Sequence, residues 1–157
     1  YIDWIITVPL QIIEFYLILS AVRKVPSSMF WRLLVASLVM LVFGYLGEAG
    51  YISALLGWVI GTAAWIYIIY ELFSGEAGKA MKSSGNKPLK TAFTAMRMIV
   101  TVGWAIYPLG YLFGYLLGGV DANALNIIYN FADFVNKIAF GLVIWAAAMQ
   151  STSVSKR

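Results

Sequence analysis

Two residues near the end of the chain have types and spacing that could do chemistry. Lys137 lies in an apolar run over residues 124–149, long enough to cross a bilayer, and Asp133 stands four residues before it. A charge in hydrocarbon is expensive, and this is a pair of them. At i and i+4 on a helix the two side chains share a face, about one turn apart. One reading is a structural ion pair that lets both charges be buried. The other is a reactive amine held beside its counter-ion. These residues alone do not choose between them.

The first apolar run carries a second set. Asp3, Thr7, Gln11 and Glu14 are spaced four, four and three apart, which puts all four on one helical face. Asp3 and Glu14 differ by only about 20° in direction and by roughly 16 Å along the axis. Lipid does not tolerate such a stripe, so the spacing predicts that it faces a bundle interior, with one acid toward each end. Read plainly, Asp3 is a helix N-cap near the interface. Glu14 sits among Ile12, Ile13, Phe15 and Tyr16 with no basic residue within a turn or two. An acid there is cheaper to bury with its proton on, which makes it a candidate proton donor. Its plain reading is an interhelical hydrogen bond. Trp104, Tyr107, Pro108 and Tyr111 put large rings at three- and four-residue spacing. Spacing alone favours ordinary packing there; the sharper reading is a wall around a flat apolar ligand. Pro9 and Pro108 each remove a backbone hydrogen bond and permit a kink.

The elements that position these residues are membrane helices. Of 157 residues, 62% are hydrophobic and 11% charged, where an ordinary soluble chain has about a quarter charged. Five apolar segments are readable, over residues 1–22, 30–46, 52–73, 91–117 and 124–149. Residues 74–90, broken by Gly75, Gly78, Gly85 and Pro88, read as a polar connection, and residues 151–157 as a short frayed tail. Each segment is too apolar for a surface helix and too long for a strand. Helices satisfy their own backbone in lipid, so the expectation is one all-α transmembrane domain with five spans. The absence of cysteine excludes disulfide and thiolate chemistry, and the absence of histidine removes the commonest general base and metal ligand. No metal site is expected. The net charge of +4 is too small and too scattered to suggest nucleic acid.

Basic residues orient the bundle. Arg23, Lys24 and Arg32 flank the first connection; Lys79, Lys82, Lys87, Lys90 and nearby Arg97 mark the third; Lys156 and Arg157 end the tail. The second and fourth connections have none. Ten of the eleven basic residues therefore share one side, the eleventh being Lys137. That side is expected to be cytoplasmic, with the C-terminus inside and the first residue toward the outside. The chain shows no initiator methionine, basic leader or cleavage site and opens directly on an apolar run, so the expectation is a fragment truncated at its N-terminus.

Four stretches carry a resemblance. They are Tyr1-Ile2-Asp3-Trp4 with Thr7-Val8-Pro9-Leu10 and Glu14-Phe15-Tyr16; Val42-Phe43-Gly44-Tyr45 with Gly47-Glu48-Ala49-Gly50; Gly103-Trp104-Ala105-Ile106-Tyr107-Pro108; and residues 130–137. In this order and spacing the whole chain resembles the microbial (type 1) rhodopsins, and closely the proteorhodopsins. The resemblance implies a seven-helix retinal-binding bundle of which the third to seventh helices are here. It implies all-trans retinal as a Schiff base on Lys137, with Trp4, Gln11, Met40, Trp65, Trp104, Tyr107, Pro108 and Tyr111 lining its pocket.

It further implies Asp3 as counter-ion and proton acceptor and Asp133 as second counter-ion. Thr7 would lie where its hydroxyl can bond the Asp3 carboxylate, and Glu14 would be the cytoplasmic-side proton donor. Gln11 resembles the residue of the blue-absorbing kind. The implied function is a light-driven outward proton pump, not an enzyme, multi-pass in the cell membrane. Its partners would be retinal, protons and lipid, with a homo-oligomer possible. The family's arginine before Tyr1 and a histidine on an earlier helix are not in these residues. Two alternatives stand: a sensory photoreceptor of the same fold, against which Glu14 argues, and a chromophore-free proton-coupled transporter using the same ionisable residues.

Overall fold

Helix α1, Ile2–Ser20, turns Val8, Ile12, Phe15 and Leu19 onto one stripe by their spacing of four, three and four, and that stripe is buried. The structure, a computed structural model, describes residues 1–155. The basic tail pair, Lys156 and Arg157, lies outside the described residues. After α1 come α2 (Ser27–Glu48), α3 (Ala54–Phe73), the short α4 (Glu76–Lys82), α5 (Lys87–Thr101), a 3-10 turn (Gly103–Ala105), α6 (Ile106–Tyr111), a π-helical turn (Leu112–Leu116) and α7 (Ala122–Ser155). No strand occurs among the described residues. Five stretches are long and apolar enough to cross a membrane: Ile2–Ser20, Ser27–Glu48, Ala54–Lys82, Lys87–Leu116 and Ala122–Gln150.

Local chemistry sets the ends. Ser53 Oγ accepts from the Leu56 N–H, Asn86 Oδ1 from Leu89, and Asp121 Oδ1 from both Asn123 and Ala124, which caps α3, α5 and α7. Helix α2 ends in a Schellman turn. Gly50 takes φ +77°, and the Tyr51 N–H reaches back to the Leu46 carbonyl at 2.9 Å. Small residues then let α2 and α3 pack closely: a Cβ on Gly57 would stand 2.8 Å from the Gly47 Cα.

The sequence expectation needs correction in three places. The connection over residues 74–90 is not all loop. Gly78 sits within α4, whose apolar Ala77, Ala80 and Met81 are buried against the bundle, and Pro88 occupies the first turn of α5, where its missing N–H costs nothing. The run over residues 91–117 is not one regular helix but α5, a 3-10 turn, α6 and a π turn. The tail after residue 150 continues α7 to Ser155.

The break in the fourth span has a physical cause and a remedy. Pro108 has no N–H to give the Trp104 carbonyl, so the preceding turn loses one helical bond. Neighbouring helices supply donors. Trp65 Nε1 donates to the Val100 carbonyl at 2.9 Å and Asn136 Nδ2 to the Gly103 carbonyl at 3.1 Å. The Tyr129 hydroxyl donates to the Tyr107 carbonyl at 3.1 Å, and Trp58 Nε1 to that of Pro108 at 2.8 Å. In lipid such donors tie an irregular span to its neighbours without leaving its carbonyls facing hydrocarbon.

At the basic end, Glu71 is nearly fully buried. Its Oε1 accepts from the Glu76 N–H at 3.0 Å and pairs with Arg32 at 3.2 Å, while Arg32 also pairs with Glu76. Arg23 donates to the Ala80 carbonyl at 3.2 Å and to the Ser83 hydroxyl. The first and third connections thus meet at the same end of the bundle, which is the geometry the loop charges require.

Candidate functional site

The site forms where α1 and α7 face each other. On α7 a spacing of four and four places Tyr129, Asp133 and Lys137 along one face. Lys137 is the one that projects its amine toward α1. Nζ pairs there with the Asp3 carboxylate, and lies 3.8 Å from Asp133 Oδ2 one turn back. The amine therefore stands between two carboxylates from different helices.

Asp133 is held from three directions. Trp4 Nε1 donates to Oδ2 at 2.7 Å and the Tyr107 hydroxyl donates to Oδ1 at 2.5 Å. Its side chain is only 15% exposed, so these bonds and the nearby ammonium offset a desolvation that the carboxylate could not bear alone. Asp3 differs: its side chain is 59% exposed, and among the described residues its carboxylate is held by the Lys137 amine alone. The expected burial of the whole α1 stripe therefore needs correction. Gln11 is buried and Thr7 and Glu14 are half-buried, but within the described residues nothing covers Asp3. Thr7 also departs from expectation. Its hydroxyl donates to the Asp3 backbone carbonyl at 3.0 Å rather than to the carboxylate, the usual back-bond of a threonine within a helix.

Behind the amine lies a cavity of about 770 Å³, counted out to its open side. Trp4, Trp65, Trp104 and Tyr107 wall it, with Met40, Pro108 and Tyr111 completing the apolar surface and Gln11 adding an amide. Lys137 and Asp133 also line it. Trp4 meets Tyr107 edge-on at 5.2 Å between centroids and Tyr129 at 5.5 Å. Eight residues expected to line a pocket thus share one cavity. Asp3, Thr7 and Glu14 are not in its lining.

Glu14 points elsewhere. It lies one and two turns inward of Gln11 and Thr7, beside the fully buried Ile12 and Phe15, and its Oε2 is buried without a hydrogen-bond partner. The interhelical hydrogen bond that would have explained Glu14 structurally is not made by that oxygen.

Several residues of the cavity escaped the sequence reading. Tyr1, Glu48, Trp58, Thr62, Tyr129 and Asn136 all line it. Tyr129 was findable, two turns from Lys137 on the same face. Glu48 was not, because it reads as part of a glycine-rich helix stop.

Residues 1–151 match the family described as bacteriorhodopsin-like protein, and the chain belongs to that family. It is 56% identical over 155 residues to the blue-light absorbing proteorhodopsin of Gamma-proteobacterium Hot 75m4, a match covering 98% of this chain and 61% of that relative. It is 55% identical to the green-light absorbing proteorhodopsin of Gamma-proteobacterium EBAC31A08, again over 98% of this chain and 61% of the relative. Among solved structures, blue light-absorbing proteorhodopsin from Med12 is 53% identical with a TM-score of 0.79, covering 96% of this chain and 66% of that one. Exiguobacterium sibiricum rhodopsin is 37% identical with a TM-score of 0.83, covering 97% and 71%. The chain thus spans about three fifths of the length of these curated relatives.

Proposed function

We propose that this chain is the retinal-binding part of a light-driven outward proton pump, multi-pass in a cell membrane with its C-terminus in the cytoplasm. The observation that carries the reading is the Lys137 amine, paired with Asp3, near Asp133, and opening onto an aromatic-walled cavity. The residues fit all-trans retinal. A single amine can form the imine, two carboxylates can balance the charge it keeps when protonated, and four large rings make a flat apolar slot for a polyene. Bound on Lys137 as a Schiff base, retinal supplies a light-driven change of shape at that nitrogen, which weakens its pairing with the carboxylates.

The chain's own residues do the rest. Asp3, reached by Nζ and open toward the outer half of the bundle, takes the proton. Asp133, tied to Trp4 and Tyr107, stays fixed as the second counter-ion and keeps the site's charge balanced. Glu14, on the opposite side of Lys137 and closer to the basic end, holds a proton to return to the nitrogen. Gln11, Trp65, Trp104, Tyr111 and Met40 orient the ligand and keep water away. Direction follows from depth: the acceptor is at the end away from the basic rim and the donor is toward it.

The test is illumination of an unbuffered suspension of membranes holding the retinal-supplemented protein. Outward pumping acidifies the medium and a protonophore abolishes the signal. A coloured protein that leaves the pH unchanged would be a photoreceptor instead. Lys137→Ala should show neither colour nor covalently attached retinal by mass spectrometry; a pigmented Lys137→Ala protein would overturn the assignment.

A further inference from the structure

The residue beside Lys137 carries an amide that the proposed function leaves unused. Asn136 is buried on α7 and lines the same cavity as Asp133 and Lys137. Its Nδ2 donates to the Gly103 carbonyl at 3.1 Å, and the amide also lies within hydrogen-bonding reach of the Tyr107 hydroxyl. That hydroxyl donates to Asp133 Oδ1 at 2.5 Å, and Asp133 stands 3.8 Å from the Lys137 amine. Polar contacts therefore run from the amine through Asp133, Tyr107 and Asn136 to the first residue of the 3-10 turn. The fit at the far end is close: a Cβ on Gly103 would collide with Asn136 Oδ1. Gly103 leads directly into Trp104, a buried wall of the cavity.

Holding two helices together needs one donor. Trp58 and Trp65 each do so with a single indole N–H. Asn136 has two amide hydrogens, so it can serve the broken span and the hydroxyl that holds a counter-ion at once. We infer that Asn136 is a positioning residue that couples the charge at the Lys137 nitrogen to the break in the fourth span. The inference rests on the reading above, in which that nitrogen bears retinal and gives its proton to Asp3. While the nitrogen keeps its proton, it shares the Asp133 carboxylate with Trp4 and Tyr107. When the proton leaves, Asp133 loses its neighbouring positive charge and draws harder on the Tyr107 hydroxyl. A hydroxyl that donates more strongly also accepts more strongly. The Asn136 amide then shifts toward Tyr107 and its bond to the Gly103 carbonyl gives way. No covalent bond changes in this relay; residues 100–104 alternate between a tied and a loosened arrangement.

The experiment is hydrogen–deuterium exchange, read by mass spectrometry, on the retinal-loaded protein in membranes, in darkness and under continuous light. In the unsubstituted protein light should speed exchange at residues 100–104 by roughly three- to tenfold, the range expected when one interhelical hydrogen bond opens. Asn136→Leu, of similar volume and without a donor, should exchange at the fast rate in darkness and light alike. Tyr107→Phe cuts the relay on the other side of the amide and leaves Asn136 to hold Gly103, so exchange should stay slow under both conditions. Each variant carries the test if the other yields no pigment. A light-driven rise that persists in Tyr107→Phe or in Asn136→Leu would reduce Asn136 to a tie between helices and overturn the inference. An unsubstituted pigment whose exchange at 100–104 ignores light would overturn it too. A protein that stays colourless with retinal would instead overturn the reading on which the inference rests, a distinguishable result.

Discussion

The two halves of this bundle handle polarity in opposite ways. The half away from the basic rim is rich in hydrogen-bonding groups: Asp133, Glu48 and the hydroxyls of Tyr1, Tyr107 and Tyr129 line one cavity, and Asp3 reaches the Lys137 amine from outside that lining. The half toward the rim is dry. Ile12, Phe15, Leu19, Phe93, Met96 and Phe140 are essentially fully buried there, Phe15 meeting Phe93 at 5.2 Å and Phe140 at 5.8 Å edge-on. Glu14 is the single acid on the α1 face in that region, with an oxygen that nothing among the described residues donates to. In the proposed pump a proton would leave the first half through many partners. It would enter the second by way of Glu14 and a packed apolar core. That asymmetry favours one direction of travel, because closing one side to water makes back-leak costly.

The sharpest way to break the comparison is at Asp3. Asp3→Asn keeps the side-chain volume and removes the carboxylate that pairs with Lys137. Light-driven acidification of the medium should be lost entirely, and the pigment's absorption should move to longer wavelength, because the charge on the nitrogen loses its closest stabilising partner. Both are read in one flash experiment with a pH electrode and a spectrometer. Unchanged acidification would mean that Asp133 or another group takes the proton, and the outward half would not work as described.

A smaller effect is expected from the dry half. Glu14→Gln leaves the packing around Phe15 intact and removes the carboxyl that the proposed pump uses as its proton donor. The pigment should form and bleach normally, while return to the resting absorption slows by on the order of 10²-fold. Added azide or another small weak acid, able to carry a proton into the core, should recover part of the rate. A photocycle of unaltered length would show that water already reaches the inner side of Lys137, and the dryness of that half would have no functional consequence.

How much of this was legible beforehand divides along the same line. The five spans followed from hydropathy, because a helix is the only open chain that satisfies its backbone in lipid. The Asp133–Lys137 pair and the α1 acids followed from helical spacing, which fixes faces without knowledge of neighbours. What spacing cannot give is which helix a face meets. Glu48 needs Tyr1, 47 residues earlier, to become part of a site, and Thr7 looked free to bond a carboxylate until its backbone proved the nearer acceptor. The break after Thr101 was hidden for the same reason. Pro108 advertises a missing bond, but the indole and amide groups that make the break affordable lie on α3 and α7.

That break supplies the smallest test. Trp65→Phe keeps an aromatic wall on the cavity and deletes the N–H that reaches the Val100 carbonyl. The carbonyl sits among fully buried neighbours, Val100 itself included, so water cannot replace the donor. The loss should be about 1 kcal/mol, since interhelical hydrogen bonds in membranes are worth no more than this on average. In a chain of this size that lowers the midpoint of thermal bleaching by roughly 2–4 °C. Amide exchange should quicken around residues 100–104 while α1 and the dry core are unaffected. Exchange that rises equally in both halves would mean the broken span is not an independently held element, and the polar half would owe its shape to overall packing rather than to the side-chain donors that reach its carbonyls from neighbouring helices.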